Sequence, residues 1–217
     1  MDALAAIVGK YVTVTPIRSD DEIDSFAKKL HFYTNGSNLK LGSQRIESYD
    51  ADSLVWRYMP DGPFSTEEEF GSALKKVRAL PGALPFLVSE NTFNEPIGVA
   101  CYLNILPAHL TIEVGWIFYS PLAQRSVANT ETTLLLLREA FRMGYRRMVW
   151  KCDAENIRSR NAAERLGFVA EGVHESHYII KGLNRDTAWF RILDREWPQI
   201  EEQLKERVEK SSPVVTP

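Results

Sequence analysis

The sequence predicts an α+β domain built around one mixed sheet, and three observations carry that prediction. Runs rich in β-formers alternate with helical patterns in the order strands, helix, strand, helix, strands, with no repeat and no linker between them. Leu84 to Ser89, Ile97 to Ile105 and Thr111 to Tyr119 are separated only by turn signals, Asn94-Glu95-Pro96 and then Pro107, which reads as an antiparallel meander. The 217 residues are 44% hydrophobic and 25% charged, a globular balance, and a chain of this size buries roughly 70% of its unfolded surface in one core. Residues 1–210 are therefore read as a single domain and 211–217 as a flexible tail.

Taken in order, Tyr11 to Ile17 alternates β-branched residues and reads as the first strand. Ser19-Asp20-Asp21-Glu22 opens a helix, its acidic residues at the positive end of the dipole. Asn35 to Pro63, punctuated by glycine and proline, is left without an assignment. Ser65 to Glu69 opens a second helix that runs to about Arg78. After the meander, Thr130 to Met143 is helical, with Leu134, Leu137 and Phe141 at 3–4 spacing and Gly144 as its stop. Arg146 to Cys152 is a strand, Asn156 to Leu166 a short helix closed by Gly167, and His174 to Ile180 with Thr187 to Leu193 a hairpin around Gly182-Leu183-Asn184. Asp194 to about Lys210 forms the last helix.

Composition excludes several classes of function. The net charge of −3 combines 26 basic and 29 acidic residues spread along the chain, so no basic block marks a nucleic-acid surface. Apolar runs such as Leu134 to Leu137 fall far short of the ~20 residues of a membrane span. Met1-Asp2-Ala3-Leu4 has no basic region ahead of its apolar residues, unlike a secretory signal. Two cysteines make no disulfide framework and fit a reducing compartment. A cytoplasmic protein without nucleic-acid or membrane partners is expected.

Three features bear on chemistry. In the strand Thr111 to Tyr119, alternation puts Ile112, Val114, Trp116 and Phe118 on one face and Glu113 on the other. Glu113 is then either a solvent-facing strand residue or a carboxylate in a partly dry cleft, suited to general-base work. The strand next empties through Ser120 to Asn129 into a helix, where free backbone N–H groups and the dipole favour phosphate; no proline lies between Gln124 and Thr130, and Arg125 adds a charge. An ordinary strand-to-helix connection is the alternative. Third, Asn156 and Gly167 are helix-capping residues, but capping does not account for Ser159 and Arg160 in the first turn, where a hydroxyl and a cation reach a ligand.

Together these pieces resemble the GNAT superfamily of acetyl-CoA-dependent N-acetyltransferases, and within it the RimJ/RimL-like branch of ribosomal-protein N-terminal acetyltransferases. The matching residues are Gly9 to Val12, Ile112 to Trp116, Gln124-Arg125 with Thr130-Glu131, and Asn156 and Ser159 through Glu164, Gly167 and Phe168. Lys181-Gly182 and Arg185 to Phe190 complete the set, which covers about Gly9 to Trp197.

The resemblance implies the acyl-CoA N-acyltransferase fold, a mixed sheet flanked by helices and splayed between its fourth and fifth strands, with acetyl-CoA in the gap. It implies that Trp116, Ile117 and Phe118 offer backbone hydrogen bonds to the pantetheine arm. Gln124, Arg125, Ser126, Val127, Ala128, Asn129 and Thr130 would cradle the pyrophosphate, and Asn156, Ser159 and Arg160 would line the far side of the thioester. Glu113 takes the position of the base. Many relatives place a tyrosine acid where this chain has Ala163, which leaves Ser159 as the candidate acid. Val127 and Asn129 stand where the family has small residues, so a weakened cofactor loop is expected, because a β-branched side chain resists close backbone approach.

The implied reaction moves an acetyl group to a primary amine, on a protein N-terminus or a small molecule, by direct attack in a ternary complex; a homodimer is compatible with it. A non-catalytic acyl-CoA-binding module on the same fold is the alternative. No metal is expected: His174 and His177 are three residues apart on a strand, which puts them on opposite faces. Cys101 and Cys152 read as buried fillers, and Trp56 and Tyr58 as core rather than acceptor wall.

Overall fold

The computed structural model describes residues 4–215. Eight strands form one sheet in the order β1-β2-β5-β6-β7-β8-β10-β9, namely β1 (Ile7–Val8), β2 (Val12–Pro16), β5 (Leu84–Glu90), β6 (Glu95–Leu106), β7 (Thr111–Tyr119), β8 (Arg147–Asp153), β10 (Leu183–Leu193) and β9 (Val169–Ile180). Every neighbouring pair is antiparallel except β7 and β8, which are joined through a helix as a parallel pair must be. This is the GNAT fold, and β7 and β8 are the fourth and fifth strands counted from Val12–Pro16.

Two apolar layers sandwich the sheet. Helix α1 (Asp20–Asn35) starts at Ser19, whose hydroxyl accepts the Glu22 N–H while the Glu22 carboxylate accepts the Ser19 N–H. It buries Ile23, Phe26, Ala27 and Leu30, spaced for one helical face, and packs with α2 (Glu67–Arg78) over Val99, Cys101 and Phe118. On the opposite face α3 (Ala128–Arg142) and α5 (Trp197–Glu209) cover Val14, Phe86, Ala100, Ile112, Val114, Met148 and Phe190. Helix α4 (Ile157–Arg165) lies at the end of β8.

Two segments depart from expectation. The unassigned stretch holds a small hairpin, β3 (Leu39–Leu41) and β4 (Gln44–Ile46), followed by a π-helical turn at Asp52–Trp56. The turn of the β9–β10 hairpin is Lys181-Gly182, both at positive φ (51° and 78°), so Leu183 and Asn184 belong to the strand.

The expected tail is packed down rather than loose. Val214 and Val215 are buried in the core, the Gln44 amide donates to the Val214 carbonyl at 2.8 Å, and the Tyr11 hydroxyl donates to the Ser211 carbonyl at 2.6 Å. Residues 216–217 of that tail, and 1–3 of the N-terminal reading, lie outside the described residues.

Candidate active site

Strands β7 and β8 pair only at Thr111–Arg147, Ile112–Met148 and Glu113–Val149, and then part. Each keeps its outer neighbour, β6 or β10, so the inner edges beyond Glu113 and Val149 carry unpaired backbone groups. A cleft of about 610 Å³ opens between them, lined by Trp116, Ile117 and Phe118 on one side and Trp150 to Asp153 on the other.

A β-bulge accompanies the parting. Val99 faces Phe118 and Cys101 faces Gly115, so Trp116 and Ile117 together oppose Ala100, and Trp116 takes a left-handed φ of 48°. That extra residue reverses the alternation. Trp116 and Phe118 pack in the α1–α2 layer, opposite Ile112 and Val114, which corrects the expectation that all four share a face.

Glu113 is buried, its side chain 7% exposed, which removes the solvent-facing reading. Its Oε2 accepts from Asn104 Nδ2 at 2.6 Å and from the Lys151 ammonium at 2.8 Å. Lys151, 13% exposed, in turn lies over the Trp189 ring at 4.7 Å. The space for Oε1 depends on Gly115, since a Cβ there would stand 3.0 Å from that oxygen. Among the described residues Oε1 accepts no hydrogen bond, and Glu113 lines the cleft. One carboxylate oxygen is thus anchored and the other is available. Asn104 and Lys151 were missed in the sequence; Lys151 alternates with Trp150 and Cys152, so it could have been placed on the Glu113 face.

The loop after β7 has the character of an anion cradle. Gln124 donates to the Leu54 and Tyr119 carbonyls, Arg125 takes φ 60°, and Ser126 Oγ accepts the Ala128 N–H at 3.1 Å just ahead of the helix. Among the described residues the amides of Arg125, Ser126, Val127, Asn129 and Thr130 have no acceptor, the concave array that left-handed and helical residues in succession produce. Gln124, Arg125, Ser126 and Asn129 line the cleft; the Asn129 Oδ1 is buried without a partner.

The side chains of Val127 and Ala128 turn into the core instead, and Thr130 is not among the lining residues. Val127 is 5% exposed, so its bulk faces the sheet rather than a ligand, contrary to the reason given for a weakened loop. Val127→Gly is accordingly expected to cost about 3 kcal/mol of stability, from lost burial and added chain freedom, without tightening CoA. Urea denaturation beside CoA titration checks both halves.

Across the cleft, Asn156 accepts the Ser159 N–H at 3.1 Å as the cap of α4, and Ser159 Oγ accepts the Trp150 indole N–H at 3.1 Å. Both line the cleft; Arg160 does not, and its guanidinium donates to the Ala154 carbonyl. Ala163 is fully buried. Burial pushes both cysteine thiols up, reinforced at Cys101 by Glu113 and offset at Cys152 by the Ser159 hydroxyl, as befits fillers rather than nucleophiles.

A strap crosses the open end. Arg158 donates to the Leu54 and Ser53 carbonyls, Lys181 to that of Trp56, and the Tyr58 hydroxyl to that of Glu155. Trp56 is core, as expected, whereas Tyr58 walls the cleft. On the hairpin, Ser176 takes φ 49° at a bulge, which brings His174 and His177 to 5.1 Å between ring centroids rather than onto opposite faces. Among the described residues no three His, Cys, Asp or Glu side chains are placed to hold a metal, and no helix is long and apolar enough to cross a membrane.

Known proteins share this arrangement. Residues 44–169 match the family described as Acetyltransferase (GNAT) domain. The chain is 30% identical over 156 residues, 71% of this chain and 89% of the other, to the Uncharacterized N-acetyltransferase YnaD of Bacillus subtilis (strain 168). A GCN5-related N-acetyltransferase from Brucella melitensis superposes with a TM-score of 0.81 at 32% identity, covering 94% of this chain and 85% of that one. Microcin C7 self immunity acetyltransferase MccE, solved in complex with acetyl-CoA and AMP, shares the fold with a TM-score of 0.67 at 20% identity over 85% and 93% of the two chains. The chain belongs to the GNAT acetyltransferase family.

Proposed function

We propose that this acetyltransferase binds acetyl-CoA between β7 and β8 and acetylates a primary amine by direct attack in a ternary complex, in the cytoplasm and within the RimJ/RimL-like branch. The observation that carries the reading is the junction of three things in one cleft: an open strand edge, a row of unpartnered amides, and a carboxylate with one free oxygen. The residues fit the cofactor. The β7 edge at Trp116 to Phe118 can pair with an amide-bearing arm, the free amides of Arg125, Ser126, Val127, Asn129 and Thr130 with a diphosphate, and Asn156 and Ser159 border the other side. MccE, on the same fold, was solved with acetyl-CoA.

When bound, acetyl-CoA supplies an activated acyl carbonyl and a thiolate leaving group. The two cleft walls hold amine and carbonyl together, which supplies much of the acceleration. Glu113 Oε1 takes the ammonium proton, directly or through a water, while Asn104 and Lys151 fix Oε2. Donors of the β7 edge offset the negative charge that develops on the carbonyl oxygen. The Ser159 hydroxyl, held by the Trp150 indole, gives a proton to the departing sulfur.

Acetyl-CoA at a hundred times Kd is expected to stabilise the fold by about 2.7 kcal/mol, a rise in Tm of about 5–10 °C for a chain this long. Thiol release should require an amine as well. A melting curve unmoved by millimolar acetyl-CoA would overturn the reading, and protection without thiol release across a broad set of amines would favour the non-catalytic binding module.

A further inference from the structure

We propose that the acceptor amine also carries an anionic group, a carboxylate or a phosphate, bound by Arg185 on the hairpin wall of the cleft. This rests on the acetyltransferase reading above and narrows its acceptor.

A continuous line of side chains runs from the base to Arg185. Lys151 pairs with Glu113 and lies over Trp189; Trp189 packs on His174 at 4.8 Å, His174 on His177 at 5.1 Å, and His177 on Tyr178 at 3.9 Å. Arg185 sits over the Tyr178 ring at 5.8 Å, and both Tyr178 and Arg185 line the cleft. Of the side chains between Glu113 and Arg185 only Lys151 and Tyr178 border the cleft, so an amine whose nitrogen reaches Glu113 has a phenol ring and a guanidinium on the same wall.

One nitrogen of that guanidinium is unsatisfied. Among the described residues Arg185 has no carboxylate partner, and its Nε is buried without an acceptor, as are His177 Nδ1 and Trp189 Nε1. Of the carboxylates lining the cleft, Glu113 pairs with Lys151 and Asp153 Oδ1 accepts the Glu155 N–H at 2.8 Å; neither is paired with Arg185. The remaining lining cations have other settings: Arg158 holds the strap, Arg125 adjoins the amide row, and Arg165 ends α4. Arg185 alone belongs to the hairpin.

A buried donor without an acceptor is costly, and a planar guanidinium matches a carboxylate or phosphate through two parallel hydrogen bonds. The surroundings agree in sign. Burial, and then the charges of His174, Lys151 and Arg185, push the His177 imidazole below its usual range. With Lys151 neutralised by Glu113, it is Arg185 on that wall that repels a second ammonium, so it selects against polyamines as it selects for an anion.

The test uses acceptor pairs with and without an anion several bonds from the amine: 6-aminohexanoate against 6-aminohexanamide, and O-phosphoethanolamine against ethanolamine, with spermidine as the polycation. Wild-type kcat/KM is expected to favour the anionic member at least about tenfold. The pair with the larger ratio distinguishes carboxylate from phosphate. Arg185→Gln should bring the ratio close to one, and Arg185→Lys should restore part of it. Without turnover, CoA-saturated protein titrated with 6-acetamidohexanoate and 6-acetamidohexanamide should show the same preference. Equal rates and equal binding within the pairs would overturn the proposal, as would spermidine outrunning the anionic amines. Arg185→Gln weakening acetyl-CoA itself would also overturn it, by assigning Arg185 to the cofactor. Failure of the acetyltransferase reading shows separately, as a flat acetyl-CoA melting curve.

Discussion

Glu113→Gln is expected to lower kcat/KM for acetyl transfer about 10²–10⁴-fold at neutral pH, the range typical of general-base assistance. The amide has nearly the shape of the carboxylate, and its oxygen can still accept from Asn104 and Lys151, so Oε2 remains anchored while the free position loses its basicity. The sign of the pH dependence follows from which proton is moved. At acidic and neutral pH the acceptor arrives as an ammonium and needs a base. As the pH approaches the amine's own pKa, free amine arrives unaided and the deficit of the variant shrinks. Ser159→Ala removes a donor to a thiolate that already leaves well, so its deficit should be smaller and nearly flat with pH. Neutralising Glu113 also leaves the part-buried Lys151 ammonium without its counter-ion, which costs stability. Rates should therefore be compared well below both melting temperatures and with acetyl-CoA binding verified. Wild-type turnover in Glu113→Gln at neutral pH, on an acceptor the wild type uses, would reduce this carboxylate to a structural partner of Lys151.

The order of elements was legible because periodicity and capping are local. Ser19 with Glu22, Thr111 to Tyr119 and Asn156 each act through residues within a few positions, and the structure has them where the pattern puts them. What could not be read depends on departures from regular geometry that no residue type announces. Trp116 and Ser176 are not glycine, yet both sit at positive φ in bulges, at 48° and 49°. One bulge moves Trp116 and Phe118 to the Glu113 side, and the other brings two histidines together. The Glu113–Lys151 pair depends on parallel register between strands joined through a whole helix, where a one-residue slip would turn Lys151 to the other face. The strap at Ser53 to Trp56 stayed unassigned for a simpler reason. Its partners, Arg158, Gln124 and Lys181, hold it by main-chain carbonyls, and a carbonyl is the same in every residue.

The second large effect is expected at Glu131, which the sequence offered only as part of the motif Gln124-Arg125 with Thr130-Glu131. Its Oε1 accepts the Lys10 N–H at 2.6 Å, and its Oε2 accepts those of Tyr11 and Val12 at 2.7 and 2.9 Å. Three successive amides of the turn between β1 and β2 thus close on one buried carboxylate in the first turn of α3, where the helix dipole also favours negative charge. Gly9 is part of the same fit: a Cβ there would stand 2.7 Å from the Glu131 carboxyl carbon. Glu131→Ala leaves all three donors unmet beneath the sheet edge. Hydrogen bonds to charged acceptors contribute more than neutral ones and buried orphans are expensive, so about 3–5 kcal/mol of stability should be lost. Glu131→Gln should cost nearly as much, since one end of its amide points N–H groups at N–H groups. Because Glu131 directly follows the Arg125 to Thr130 amides, a loosened first turn also blurs the proposed phosphate cradle. Acetyl-CoA affinity should then fall with stability, although Glu131 does not line the cleft. Urea denaturation measures the first loss and CoA titration at low temperature the second. Accelerated hydrogen exchange at Lys10, Tyr11 and Val12 would locate the opening at this contact, and unchanged exchange there would show that another group holds the turn.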